Sequence, residues 1–198
     1  SARVDMNPHQ VEAAMFALAS PLSNGVILAD EVGLGKTIEA SLILAQKWAE
    51  RRRKLLLIAP ATLRKQWSQE LEEKFSLPSR IIEAKSFNQM IKEGCCNPFD
   101  IENSTGEAAI CICSYEFASR KEHELARIPW DLVVMDEAHK LRNIYKSDGA
   151  KTAKKLSNAL SGRKKILLSA TPLQNSILEL YGLVSVIDPH FFGDLASF

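Results

Sequence analysis

One stretch constrains this chain more than any other: Leu28-Ala29-Asp30-Glu31-Val32-Gly33-Leu34-Gly35-Lys36-Thr37-Ile38-Glu39-Ala40. The apolar run from Val26 to Ala29 reads as a short buried strand. A loop with two glycines follows, then Lys36 and Thr37, then a helical pattern of Ile38, Leu42, Ile43 and Ala45 that runs to about Arg53. Strand, glycine loop and helix N-terminus make a phosphate-binding geometry. Gly33 and Gly35 let successive backbone N–H groups turn into one hollow, and the helix dipole adds positive potential there. In such a loop Lys36 reaches the β- and γ-phosphates, and the Thr37 hydroxyl sits on Mg²⁺. Asp30 stands where G-x-x-x-x-G-K-[ST] has its first glycine, so a chance glycine turn is the alternative at this point.

Apolar runs alternate with helical patterns through the rest of the chain. Leu55 to Ala59, Ala109 to Cys113, Leu132 to Met135 and Ile166 to Leu168 are continuous apolar runs, as expected of parallel strands covered on both faces. Arg80 to Glu83 is a weaker strand. Between them the spacing predicts helices over Leu63 to Phe75, with Trp67 and Leu71 inward, over Ser86 to Lys92, from Ser114 toward Ala126, and over Lys151 to Leu160, with Ala153, Leu156 and Leu160 inward. A first helix follows Pro8, and a last one covers Ile177 to Val186. The expected fold is α/β, a mostly parallel sheet with helices on both faces in three αβα layers, forming one domain over 1–198. No internal repeat or second domain is visible. Residues Gly94 to Gly106 are polar, hold Pro98 and lack periodicity, which predicts an exposed insertion.

Composition narrows the class only by exclusion. The 198 residues are 46% hydrophobic, enough for a full core, and the net charge of +1 provides no global field for nucleic acid. No apolar run has membrane-spanning length. Cys95-Cys96 are vicinal, and Cys111 and Cys113 alternate with isoleucines. Neither C-x-x-C nor a matching His cluster is present, so reduced thiols are expected rather than zinc. The cluster Arg51 to Lys54 suits a helix C-terminus and needs no ligand.

Ligands of open parallel sheets bind outside the carboxyl ends of the strands. Asp136 and Glu137 follow such a strand, a hundred positions beyond Lys36. An acid there can hold magnesium through its water shell, and the next can orient or deprotonate an attacking water. A solvated turn is the alternative for the pair taken alone. Gln10, on the first helix, can offer its amide to an adenine edge or face solvent as an ordinary surface residue.

Three segments together carry a family resemblance. Asp30 to Thr37, Asp136-Glu137-Ala138-His139 and Ser169-Ala170-Thr171-Pro172-Leu173-Gln174-Asn175 resemble motifs I (Walker A), II (the DEAH box) and III of superfamily-two helicase-like ATPases. Leu34 between the glycines and Pro-Leu-Gln-Asn after Ser-Ala-Thr are similar to the SWI/SNF-type chromatin-remodelling family, in which the Asp30 position is usual. Pro60-Ala61-Thr62-Leu63 with Trp67 looks like motif Ia, and Ser114-Tyr115-Glu116 like Ib. Pro8-His9-Gln10 and Glu31 to Ala40 are most similar to the bacterial RNA-polymerase-associated branch.

The resemblance implies a RecA-like P-loop lobe binding ATP and Mg²⁺ through Gln10, Asp30, Glu31, Val32, Gly33, Leu34, Gly35, Lys36 and Thr37. Lys36, Asp136 and Glu137 would serve catalysis, with Thr37 and, through water, Asp136 on the metal. His139, Ser169, Thr171 and Gln174 would couple nucleotide state to motion, although Ser169 and Thr171 also fit a hydroxyl-bearing turn before Pro172. Arg64, Lys65, Ser114 and Tyr115 are candidates to meet DNA phosphates, as are Lys140, Arg142 and Asn143; ordinary surface is the alternative for each. The implied activity is a DNA-dependent ATPase that translocates along double-stranded DNA in the bacterial cytoplasm at the nucleoid. RNA polymerase or another DNA-bound complex would be its partner. A strand-separating DNA or RNA helicase and a non-hydrolysing nucleotide-binding scaffold are the alternatives. Nothing resembling the family's second lobe occurs in these residues, so the expectation is half of a motor, nearly inactive alone and completed by the second lobe of its parent.

Overall fold

Every strand in the interior of the sheet is apolar at consecutive positions, because each side of the sheet carries its own layer of helices. The computed structural model describes residues 25–29, 34–138 and 149–169. In chain order the elements are β1 (Gly25–Ala29), α1 (Leu34–Ala49), β2 (Leu55–Ile58), a 3₁₀ turn (Ala61–Leu63), α2 (Arg64–Phe75), β3 (Ser79–Ile81), α3 (Ala84–Lys92), α4 (Ile101–Thr105), β4 (Ile110–Cys113), α5 (Tyr115–Arg120), α6 (Glu122–Ala126), β5 (Leu132–Met135), α7 (Gly149–Ala159) and β6 (Lys165–Ser169). The strands form one six-stranded sheet in the order β1-β6-β5-β2-β4-β3, with every neighbouring pair parallel.

The pleat divides the core in two. Leu55, Leu57, Ile110, Ile112, Leu132, Val134, Ile166 and Leu168 face one side, where Ala40, Ile43 and Leu44 of α1 and Trp67 and Leu71 of α2 cover them. Leu56, Ile58, Cys111, Cys113, Val133, Met135 and Leu167 face the other side, under α3, α5, α6 and α7. Residues i and i+2 share a face in a strand, so the alternating Ile110-Cys111-Ile112-Cys113 serves both layers. The three-layer αβα expectation holds. Ala153, Leu156 and Leu160 are fully buried along α7 as its periodicity predicts.

Five expectations are revised. Helix α1 ends at Ala49 rather than near Arg53. Its exit is a left-handed turn at Arg51 (φ 62°), with the Arg52 N–H reaching back to the Lys47 carbonyl at 2.9 Å. The cations after it are held by side chains rather than by the helix end: Arg52 faces Asp131 at 3.7 Å, the Arg53 guanidinium lies 3.9 Å from the Trp48 ring centre, and Lys54 pairs with Asp100. The helix predicted from Ser114 to Ala126 breaks at Lys121 into α5 and α6. The inward stripe of α1 is centred on Ala40, Ile43 and Leu44, with Leu42 and Ala45 on its flank.

The last revision concerns residues 94–106. They contain α4, and they are anchored rather than wholly exposed. Phe99 is 1% exposed and meets Phe87 and Phe117 at 5.6 and 5.9 Å between ring centres. Ile101 is buried beside them. Two apolar residues in a polar stretch have no period for sequence reading to detect, yet they suffice to fasten the segment.

The helical pattern after Pro8 and the one over Ile177 to Val186 lie outside the described residues.

Candidate active site

All strands run parallel, so their carboxyl ends share one edge, and the chemistry-bearing residues gather there. Lys36 and Thr37 stand in the first turn of α1, following β1. Ser114 and Tyr115 follow β4, and Asp136 and Glu137 follow β5. Lys36 is buried, and its charge bears on the Asp136 carboxylate across the edge. Within α1 the buried Ser41 hydroxyl donates to the Thr37 carbonyl at 2.7 Å, satisfying a polar group in an otherwise apolar stripe.

Asp136 is fixed on every side, and each of its four polar backbone and carboxylate atoms has a partner. Its N–H donates to the Ile58 carbonyl at 2.8 Å, continuing the β2–β5 ladder one step past the strands. Its carbonyl accepts the Tyr115 hydroxyl at 2.6 Å. Oδ1 accepts the Glu137 N–H at 2.8 Å, and Oδ2 accepts the indole N–H of Trp67 at 2.8 Å. Burial pushes the Asp136 carboxyl up from the usual aspartate range. The Trp67 and Glu137 N–H groups and the Lys36 ammonium oppose this, and the Glu137 carboxylate adds to it.

Glu137 adopts φ 48°, the left-handed region that residues with a Cβ avoid. The Glu137 carboxylate is close enough to bear on that of Asp136. Tyr115 is 6% exposed, and burial followed by the charges of Asp136 and Glu137 holds its hydroxyl well above the usual tyrosine range. It therefore stays a proton donor to the Asp136 carbonyl.

The edge suits a magnesium-bearing polyphosphate. A carboxylate and a hydroxyl are hard oxygen donors of the kind magnesium takes. Among the described residues each Asp136 oxygen accepts one N–H, which leaves it further acceptor capacity. The Lys36 ammonium supplies the matching charge for phosphate.

The other expected site residues divide into three groups. Arg64, on the first turn of α2, donates to the Ala61 carbonyl at 3.1 Å and pairs with Glu83 at 3.2 Å, whereas Lys65 is exposed. Ser114 caps α5, its Oγ accepting the Phe117 N–H at 3.2 Å, and like Tyr115 it is buried, so neither hydroxyl is at the surface. Gln10, Asp30, Glu31, Val32, Gly33, His139, Lys140, Arg142, Asn143, Thr171 and Gln174 lie outside the described residues, as do the side chains of Leu34 and Ser169.

Sequence reading places Trp67 inward and misses its polar role. The available signal is that a buried indole needs an acceptor for its N–H, and the nearest strand end carries an acid.

A parallel sheet with a Gly-Lys-Thr helix start and an acid pair on one edge defines a RecA-like nucleotide-binding lobe. The chain belongs to the SNF2-related domain family, whose model matches residues 9–198. It is 37% identical over 194 residues to the uncharacterized ATP-dependent helicase YqhH of Bacillus subtilis (strain 168), covering 96% of this chain and 31% of that protein. It is 33% identical over 202 residues to the RNA polymerase-associated protein RapA of Erwinia tasmaniensis, covering 99% of this chain and 20% of that one. The chain thus spans between a fifth and a third of these relatives. In fold it is similar to the Sulfolobus solfataricus SWI2/SNF2 ATPase core in complex with double-stranded DNA, with a TM-score of 0.77 and 22% identity over 100% of this chain and 38% of the other. Among the described residues no helix is long and apolar enough to cross a membrane.

Proposed function

We propose that this chain is the ATP-binding lobe of a DNA-dependent motor that moves along double-stranded DNA and remodels protein complexes bound to it. The observation that carries the reading is the placement of Lys36 and the fixed Asp136 carboxylate on one sheet edge, in a chain of the SNF2-related family. ATP would lie along this edge. Lys36 would bind its phosphates, and Thr37 and Asp136 would hold the magnesium, Asp136 acting through water. Bound there, the metal would neutralise charge on the transferring phosphoryl group. Glu137 would orient the attacking water and accept its proton. Asp30 to Gly35 would wrap the phosphates, Gln10 would meet the base, and His139, Ser169, Thr171 and Gln174 would relay the nucleotide state.

Duplex DNA as the track is supported by the archaeal neighbour, which was solved with double-stranded DNA. Lys65, exposed on the first turn of α2, is the candidate phosphate contact best placed at the surface, with Arg64 beside it. Such contacts position a duplex without reading its sequence. RNA polymerase as the complex acted on is supported by the RapA relatives. A second lobe would supply the cation that completes the site.

A strand-separating helicase is the second reading, favoured by the name that YqhH carries. ATP turnover by the full-length parent, measured with duplex DNA, single-stranded DNA and RNA, together with an unwinding assay, tests both. Strong stimulation by duplex without unwinding is the expected result. Stimulation by single strands or RNA alone selects the helicase, and no turnover with any of them leaves a nucleotide-binding scaffold.

A further inference from the structure

Asp136 is gripped from both faces of the sheet. Tyr115 reaches its carbonyl from the layer of α5, and Trp67 reaches its carboxylate from the layer of α2. The two grips differ in kind. The tyrosine holds backbone, which the Ile58 carbonyl also fixes, whereas the tryptophan holds Oδ2 itself. Among the described residues, the other hydrogen-bond donor to the carboxylate is the adjacent Glu137 N–H on Oδ1, a bond within the same turn. The carboxylate plane therefore depends on an indole from another element, 69 residues away in sequence.

Trp67 is itself held firmly. It is 3% exposed, and Leu71, one turn further along the same stripe, is fully buried against the sheet. One turn before it stand Arg64 and Lys65, at the start of the same helix. A rigid helix thus joins the candidate duplex contacts to the oxygen that would face the metal's water.

We infer that Trp67 is a positioning residue: its N–H sets the Asp136 carboxylate for the magnesium water, and α2 makes that setting respond to what Arg64 and Lys65 touch. The inference rests on the function proposed above. It acts through Asp136 and involves no contact between the indole and the nucleotide.

The test uses the full-length parent protein and a fluorescent ATP analogue titrated at varied free Mg²⁺. Trp67→Phe keeps the apolar ring and removes the donor. It should raise the Mg²⁺ concentration for half-maximal nucleotide binding by about tenfold, the scale of losing a partner that orients a metal-site ligand. Nucleotide binding in excess EDTA and the melting temperature should be unchanged, and duplex-stimulated kcat should fall with affinity for DNA retained. In an Asp136→Asn background the same substitution should add nothing, because coupled residues are not additive.

An unchanged Mg²⁺ midpoint, or an equal shift in both backgrounds, overturns the inference. If phenylalanine lowers the melting temperature, benzothienylalanine at position 67, which replaces only the N–H with sulfur, decides by the same midpoint. A wild-type parent that binds Mg²⁺-nucleotide without DNA-stimulated turnover refutes the motor and leaves the Trp67 inference to the binding data. A wild type without Mg²⁺-dependent nucleotide binding refutes both.

Discussion

Glu137 carries two costs. Its left-handed backbone costs on the order of 1 kcal/mol relative to glycine. Burial raises the proton affinity of Asp136 beside it, and the Glu137 carboxylate adds to that. A buried carboxyl with a raised pKa favours the fold below the unfolded value and loses that contribution as pH rises through the folded value, so at neutral pH the acid pair strains the nucleotide-free protein. Glu137→Gly should therefore melt at or above the wild type in a thermal scan at neutral pH. Glu137→Gln in the full-length parent should keep nucleotide binding and lose hydrolysis; turnover within a few fold of wild type would disprove its role toward the water. The thiols separate in the same physical terms. Burial pushes Cys113 up to about 12, and burial with the neighbouring Cys113 pushes Cys111 well above the usual range. Cys96 is exposed, and Cys95 is half-buried with its sulfur 3.0 Å from the Ser104 hydroxyl. Alkylation of the native protein at pH 8 should label Cys96 first and leave Cys111 and Cys113 unmodified until the fold is denatured.

Among the elements, the segment from 94 to 106 departs furthest from its sequence reading. Its polar composition is that of a loop, but Phe99 inserts edge-on toward Phe87 with the two planes at 60°. Asp100 then pairs with Lys54, just before β2, and accepts the Asn103 amide at 2.6 Å. Burial pushes the Asp100 carboxyl up, yet these two partners together hold it below the usual aspartate range. Phe99→Ala should destabilise the domain by about 3–5 kcal/mol, the cost of removing a buried aromatic, and denaturant unfolding measures it. A loss under 1 kcal/mol would mean that the segment is merely draped over the core. The strands, by contrast, are legible to within a residue or two. β2, β4 and β5 are short apolar runs, and burial on both faces leaves no polar alternation to confuse them.

For the domain taken together, chemistry depends on parallelism. Six parallel strands place every βα turn on one edge, so residues as distant as Lys36 and Asp136 can act on one ligand. In the proposed motor a second lobe would supply the cation that completes the site, a group worth roughly 10³–10⁵ in turnover. The 198-residue chain alone should accordingly bind ATP·Mg²⁺ weakly and hydrolyse it barely, with or without duplex DNA. A steady-state phosphate-release assay checks this, and robust DNA-stimulated release by the isolated chain would refute it.

The order of strands and helices, the phosphate-loop signature and the acid pair are local patterns, carried by a few consecutive residues each, and the linear chain specifies them. Which helix lies on which face, what fastens residues 94–106 and what orients Asp136 depend on contacts between residues far apart in sequence. The Trp67–Asp136 hydrogen bond is of this second kind. An indole and a carboxylate 69 positions apart share no period or motif, and they meet because α2 packs its apolar stripe on one face of the sheet, close enough for Trp67 to reach past the strand ends to Asp136.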